Sequence, residues 1–124
     1  MMIDDKVLLN DWYVVAASCD LEEEALLAVR LWEEDLVLWR HAGGVMAWKD
    51  YCIHRGAKLS LGRIKDGTVM CPYHGWRYDS TGQCSLIPAH PDIQPPAKAR
   101  ATTYRAVESD GFIWASLGTP AQAP

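Results

Sequence analysis

The sequence lacks several features that would assign it to large classes of protein. It has no basic excess, since 12 Lys and Arg stand against 16 Asp and Glu for a net charge of -4, and it has a single Phe. A chain of this charge has little with which to neutralise phosphates, so no nucleic-acid partner is expected. The uncharged stretches are too short and too polar to cross a bilayer, and residues 1–6 are acidic and without a signal-peptide core. The sequence therefore predicts a cytoplasmic protein that binds neither nucleic acid nor membrane.

The length leaves room for one domain. At 124 residues the chain is short for most doubly wound or barrel enzymes. We expect a single domain over residues 1–124, with an ordered core at about residues 7–118 and loose ends at 1–5 and 119–124. Gly and Pro recur between runs of β-branched and aromatic residues, which is typical of an all-β fold. Predicted strands lie at residues 12–17, 26–32, 36–41, 45–49, around 68–70, 103–108 and 112–117, with a turn or short helical piece at 21–25.

Four Cys and four His are the main chemical feature of the chain. Without a sign of secretion, the cysteines are expected to be metal ligands or buried thiols rather than disulfides. Two segments combine one Cys and one His, in the patterns C-x-H and C-x-x-H, with a Gly shortly after each His. The segments are Cys52-Ile53-His54-Arg55-Gly56-Ala57 and Cys71-Pro72-Tyr73-His74-Gly75-Trp76. Together they offer two thiolates and two imidazoles.

Three interpretations of the two segments are open at this point: separate buried side chains, the zinc site of a zinc-binding interaction module, and an iron–sulfur cluster. The recurrence of the same pairing disfavours the first. Structural zinc sites commonly pair Cys with Cys and His with His, whereas each segment here carries one of each. The one-residue gap between Cys52 and His54 suits two neighbouring irons better than one ion. In Rieske-type [2Fe–2S] clusters two His replace two Cys on one iron, which matches this ligand set.

Extended to residues 52–62 and 71–79, the two segments resemble the signature loops of Rieske domains. They are similar in particular to the N-terminal domain of the Rieske non-haem iron oxygenase components that hydroxylate aromatic rings or demethylate. The resemblance starts at about Trp12 and includes Gly82, Ile87-Pro88 and residues 110–114. It implies the Rieske fold, with small antiparallel sheets or a barrel and a cluster-binding subdomain of two loops. It also implies one [2Fe–2S] cluster per chain, held by Cys52 and Cys71 on one iron and by His54 and His74 on the other.

Residues beside the ligands are expected to tune the cluster. These neighbours are Arg55, Gly56, Tyr73, Gly75 and Trp76. The two glycines are expected to let backbone N–H groups approach the sulfurs, which favours the reduced cluster, while Arg55 and Lys58 add positive charge. Quinol-oxidising Rieske proteins have a further disulfide between the loops, but Ala57 and Tyr73 stand at the corresponding positions here. The resemblance therefore favours the oxygenase and ferredoxin branches of the family.

The activity implied by the resemblance is one-electron transfer. In the oxygenases of this kind, a catalytic domain holds a mononuclear iron on two His and one carboxylate. Only His41 and His90 remain here, far apart in sequence, so no complete oxygenation site is expected in this chain. The expected donor is a reductase or a ferredoxin, and the expected acceptor is an oxygenase catalytic domain or subunit, reached through His54 and His74. A free-standing Rieske-type ferredoxin that serves a separate oxygenase is the alternative.

The other Cys, His and aromatic residues are expected to have structural roles. Cys19 and Cys84 are predicted to be buried or half-buried thiols, and His41 and His90 to lie on the surface. Trp76 and Tyr78 are candidates for contact with the second loop. The remaining tryptophans are expected to pack in or beside the core: Trp12, Trp32, Trp39, Trp48 and Trp114.

Overall fold

The fold is that of a computed structural model, which describes residues 5–53, 56–73 and 75–124. In these ranges a short helix, α1 (Lys6–Leu9), precedes ten strands. They are β1 (Tyr13–Ala17), β2 (Leu27–Leu31), β3 (Glu34–His41), β4 (Gly44–Lys49), β5 (Arg63–Lys65), β6 (Thr68–Met70), β7 (Arg77–Tyr78), β8 (Cys84–Leu86), β9 (Thr103–Ser109) and β10 (Phe112–Ser116). Single 3-10 turns lie at Ser18–Asp20 and Leu59–Leu61. The all-β class predicted from the sequence is confirmed.

Six strands form the larger sheet, in the order β1-β10-β9-β4-β3-β2. The hairpins β3–β4 and β9–β10 turn at Ala42-Gly43 and Asp110-Gly111, where all four residues have positive φ. Two consecutive positive φ values are the type I′ geometry that matches the twist of the flanking strands. The sheet curls until its edge strands β1 and β2 meet, which gives it a near-barrel shape.

The second sheet is an insertion into the first. Its strands β5, β6, β7 and β8 follow one another in sequence order, and they lie between β4 and β9, which pair with each other. Both Cys-His segments belong to this insertion, because the first leads from β4 to β5 and the second joins β6 to β7. The large sheet thus supplies the frame on which the two loops are mounted.

Strand β3 is the wall between two halves of the core. Leu36, Val37, Leu38 and Trp39 have no exposed surface, although successive side chains of a strand point to opposite faces. Leu36 and Leu38 pack inside the near-barrel with residues of β4 and β10. Val37 and Trp39 pack on the other side, in the cluster of buried residues that contains both loop cysteines. The same strand therefore holds the near-barrel and the inserted subdomain together.

Several sequence expectations need correction. Strands β5, β7 and β8 were not predicted, because two or three residues are too few for an alternating pattern. Two residues of the segment 119–124 have hydrogen bonds, since the Trp12 indole donates to the Gln122 carbonyl at 2.6 Å and the Thr119 N–H to the Asn10 side chain at 2.8 Å. Trp32 lies in the β2–β3 turn and is 43% exposed.

In the described ranges, no helix is long and apolar enough to span a membrane.

Candidate metal centre

The two loops hold their cysteines by the same backbone arrangement. The Cys52 N–H donates to the Ala57 carbonyl at 2.8 Å, and the Cys71 N–H donates to the Trp76 carbonyl at 2.8 Å. In both loops the acceptor lies five residues after the cysteine, and the residue before the acceptor is a glycine with positive φ, Gly56 at +70° and Gly75 at +68°. Other L-residues rarely adopt this conformation. The glycines therefore close each loop back onto its cysteine.

Both cysteine side chains point into the core. Cys52 is fully buried and Cys71 is 2% exposed, and both belong to one cluster with Val69, Tyr78 and Trp39. The Cys52 and Cys71 thiols come from different loops but lie close enough in this cluster to interact with each other. The fold therefore unites the two predicted sulfur ligands in a site protected from water.

The pKa of the Cys71 thiol bears on whether the site can bind a metal ion. Burial, with the Cys52 contact, raises the pKa of the Cys71 thiol to about 12. A buried thiolate is unfavourable unless a positive charge lies beside it, and a metal ion deprotonates its thiol ligands outright. Two adjacent, buried thiols are a suitable pair of sulfur donors for a metal centre. Cys52 and Cys71 therefore fit the sulfur ligands of the predicted iron–sulfur cluster.

Two hydrogen-bond donors approach the sulfurs. The Tyr78 hydroxyl lies 3.3 Å from the Cys52 sulfur, and the backbone N–H of Tyr73 donates to the Cys71 sulfur. Burial, followed by the contact with Cys52, raises the pKa of Tyr78 well above its usual value, so the phenol keeps its proton. Both contacts place a partial positive charge next to a sulfur, which stabilises added negative charge there.

A buried carboxylate holds the first loop at its two ends. Asp50 is 6% exposed, and its side chain accepts hydrogen bonds from the Ser60 N–H at 2.8 Å and from the Ser60 hydroxyl at 2.6 Å. Asp50 precedes Cys52 by two residues, and Ser60 lies in the 3-10 turn that ends the loop. Within the loop, the Lys58 ammonium lies 3.2 Å from the Asp35 carboxylate in β3. These contacts fix the path of the segment that carries the first pair of ligands.

The structure brings together only part of the predicted site. His54, Arg55 and His74 lie outside the described residues, so their ligand and tuning roles stay predictions. Gly56 and Gly75 have the loop-closing conformation, but the Gly56 N–H donates to the Cys52 carbonyl at 2.7 Å rather than to a sulfur. Within the described ranges, no group of three His, Cys, Asp or Glu side chains is placed to bind a metal.

The residues around the predicted site are placed in different ways. Tyr73 is 59% exposed, and Trp76 is half-buried against the core cluster. Sequence reasoning missed the Tyr73 N–H and the Asp50 carboxylate, and it expected Tyr78 to contact the second loop rather than Cys52 of the first. A Tyr in a short strand directly after a Cys-His loop was the available signal for Tyr78.

The cysteines and histidines outside the loops divide into buried and exposed residues. Cys84 is fully buried, as predicted, whereas Cys19 lies exposed in the 3-10 turn Ser18–Asp20, so its predicted burial is wrong. A turn without a core-facing strand leaves the Cys19 side chain in solvent. His41 and His90 are exposed, as predicted.

Comparison with known proteins identifies the family of the chain. A model of the Rieske [2Fe–2S] domain family matches residues 11–104. The chain is 39% identical over 122 residues to the oxidoreductase NdmD of Pseudomonas putida, with coverage of 97% of this chain and 21% of that protein. It is 40% identical over 126 aligned positions to the methylxanthine N1-demethylase NdmA of Pseudomonas putida, with coverage of 91% of this chain and 36% of that protein.

Solved structures agree with the sequence comparison. The structure of NdmA from Pseudomonas putida CBB5 matches with a TM-score of 0.84 at 39% identity, over 89% of this chain and 35% of that one. The structure of dicamba monooxygenase matches with a TM-score of 0.84 at 38% identity, over 94% of this chain and 37% of that one. The chain thus spans only a minor part of the proteins that it matches. The Rieske fold expected from the sequence is confirmed.

Proposed function

This chain belongs to the Rieske [2Fe–2S] domain family, and from that premise we propose that it carries single electrons as the Rieske domain of a ring-hydroxylating or demethylating oxygenase. A Rieske-type iron–sulfur cluster follows from the family. We assign one cluster to the chain, treated as a single domain, with Cys52, His54, Cys71 and His74 as ligands. The observation that carries this proposal is the meeting of the Cys52 and Cys71 thiols in one buried, loop-bounded site.

The cluster, when bound, takes up one electron and releases it again. Two thiolates and two neutral imidazoles would leave an oxidised [2Fe–2S] core near zero net charge, whereas four thiolates would leave it at about -2. Adding an electron to a neutral centre costs less than adding one to an anion. The mixed ligand set of this chain therefore supports a higher potential than an all-Cys site.

The chain's own residues hold the site and tune it. Asp50 and Ser60 fix the first loop, and Gly56 and Gly75 close both loops. The core around Cys52 and Cys71 excludes water from the sulfurs. The Tyr78 hydroxyl and the Tyr73 N–H are directed at the two sulfurs and favour the reduced form.

The partners follow from the same reasoning. We expect a reductase or ferredoxin as donor and an oxygenase catalytic domain or subunit as acceptor, in the cytoplasm. The demethylase NdmA and dicamba monooxygenase support the oxygenase context, because the chain aligns with about a third of each of them. The chain also matches a segment of NdmD, which is named an oxidoreductase and not an oxygenase. A free-standing Rieske-type ferredoxin that delivers electrons to a separate oxygenase therefore stays the second candidate.

Metal analysis and electron paramagnetic resonance test the proposal. The purified chain is expected to be red-brown, with two irons and two sulfides per chain, and to give a resonance only after reduction. A colourless chain that binds one zinc would contradict the cluster and favour the zinc-binding interaction module. As a control for the ligand set, Cys19→Ser and Cys84→Ser are expected to retain iron, whereas Cys52→Ser and Cys71→Ser are expected to lose it.

A further inference from the structure

The outer face of the small sheet concentrates positive charge. Directly opposite residues in an antiparallel sheet lie on the same face, and Arg63 is opposite Met70, which is opposite Arg77. Lys65 shares this face because it lies two residues after Arg63 in β5. The alternate residues of β6 and β7 are buried in the core. We call Arg63, Lys65, Met70 and Arg77 the basic face.

The charges of the basic face are open to solvent and only partly compensated. Arg63 and Lys65 are exposed, and neither side chain has an ion pair with any residue that the structure describes. Arg77 is half-buried, its guanidinium lies 3.8 Å from the Asp66 carboxylate, and its buried Nε has no hydrogen-bond partner there. The whole chain has a net charge of -4, so this face differs in sign from the rest. Such a patch attracts an acidic protein surface and orients its approach.

A cavity lies beside the basic face and connects it with the second loop. The cavity has a volume of about 380 Å³, and its walls include Arg63 and Met70 from the basic face and Cys71 from the second loop. Leu61, which is 72% exposed, forms part of its rim. A protein that docks over the cavity therefore meets the exposed Leu61 side chain, the positive charge of Arg63 and the wall formed by Cys71 on one surface. Apolar contacts combined with charged residues are typical of protein interfaces.

We propose that the basic face and this cavity form the docking surface for the electron donor, that the donor presents an acidic surface, and that the electron enters on the Cys71 side of the site. The proposal rests on the proposed function and adds the chemistry of the partner and its place of contact. In the step itself one electron leaves the reduced donor and the oxidised site gains it. No bond is made or broken, and no further reactant is required.

The test uses an acidic plant-type [2Fe–2S] ferredoxin as the donor probe, because its potential lies below the range of Rieske centres. The charge-reversal variant Arg63→Glu/Lys65→Glu is compared with Arg105→Glu/Lys6→Glu, which reverses two exposed charges outside the small sheet. Stopped-flow absorbance gives the second-order rate constant of reduction at low and high ionic strength. Calorimetry gives the Kd of the complex with oxidised ferredoxin, a readout that needs no electron transfer.

We expect the Arg63→Glu/Lys65→Glu rate constant to fall at least about tenfold at low salt, and the Kd to rise by a similar factor. The difference is expected to shrink to about twofold at high salt, since screening removes the attraction. Equal effects of the two double variants, or no reduction of the unmodified chain by the ferredoxin, would overturn the docking surface. Failure of dithionite to reduce the chain would instead contradict the proposed function, so the two failures are distinguishable.

Discussion

Among single residues, Tyr78 bears most directly on electron transfer, through the contact of its hydroxyl with the Cys52 sulfur. It lies 3.3 Å from the Cys52 sulfur and is fully buried, so neither water nor another described side chain replaces it as a donor. A donor next to a thiolate ligand stabilises the reduced, more negative state more than the oxidised one. If Cys52 binds the proposed cluster, the contact is expected to raise its potential.

Replacement of this hydroxyl gives the first prediction. Tyr78→Phe is expected to lower the midpoint potential by about 40 mV, which corresponds to about 1 kcal/mol for a one-electron couple. Tyr104→Phe is the control, because it removes a half-buried phenol hydroxyl that hydrogen-bonds Glu34 in the large sheet, away from the sulfurs. Protein-film voltammetry measures both variants. An unchanged potential in a Tyr78→Phe chain that keeps its irons would refute the tuning role.

A second residue-scale prediction concerns pH. The Arg40 guanidinium donates to both oxygens of Glu108 at 2.7 Å and lowers the pKa of this carboxyl from 4.5 to about 2. A carboxyl whose pKa is lower in the folded state stabilises the fold above the unfolded pKa, and this contribution disappears as pH falls toward the folded pKa. Glu108→Gln should therefore lower the free energy of unfolding at pH 7 by about 0.5–1 kcal/mol, because the pair is partly exposed. Urea unfolding should show this difference narrowing from pH 4.5 toward pH 2, and a constant difference would contradict it.

At the scale of elements, the two loops are tied to each other through a glycine. Gly62 follows the first loop and lies against β6, and a Cβ at this position would lie 1.9 Å from the Met70 carbonyl oxygen. Met70 immediately precedes Cys71, so this close approach fixes the distance between the two cysteine-bearing segments. The φ of Gly62 is -85°, which any residue adopts, and the requirement for glycine is therefore one of space.

Gly62→Ala tests this packing. The extra methyl is expected to force β6 and the first loop apart, to destabilise the chain by about 3 kcal/mol and to impair iron retention. Gly44→Ala is the matched control, because its Cβ would meet only the His41 carbonyl at 3.6 Å. Thermal unfolding and iron content of both variants decide the matter. Equal stability of the two would show that β6 shifts without cost.

At the scale of the whole molecule, the sequence predicts the near-barrel better than the inserted subdomain. The continuous apolar run of β3, the alternating run of β9 and hairpin turns such as Asp110-Gly111 are local signals, and they can be recognised in the sequence without knowledge of the fold. The contact of Tyr78 with Cys52 joins residues 26 positions apart and depends on strands of two or three residues, which leave no readable period. The hydrogen bond from Trp12 to the Gln122 carbonyl spans 110 positions and has no local sequence signal either. The Cys-His pattern was enough to predict the family, which the comparisons confirm, because Cys and His at fixed spacing reflect chemistry rather than packing. The ligand roles of the individual residues stay predictions.

This division predicts how the molecule responds to loss of its metal. The near-barrel strands β3, β4, β9 and β10 have five to eight residues and their own apolar core, whereas β5 to β8 have two or three residues and enclose the two thiols. Strands this short are not stable by themselves, so we expect the small sheet to depend partly on bonds between its loops and the proposed cluster. Chelation of iron under reducing conditions is therefore expected to speed amide hydrogen exchange in β5 to β8 by more than about a hundredfold and to leave β3 and β4 protected. Exchange measured by mass spectrometry before and after iron removal tests this, and equal loss of protection in both sheets would show instead that the fold unfolds as one unit.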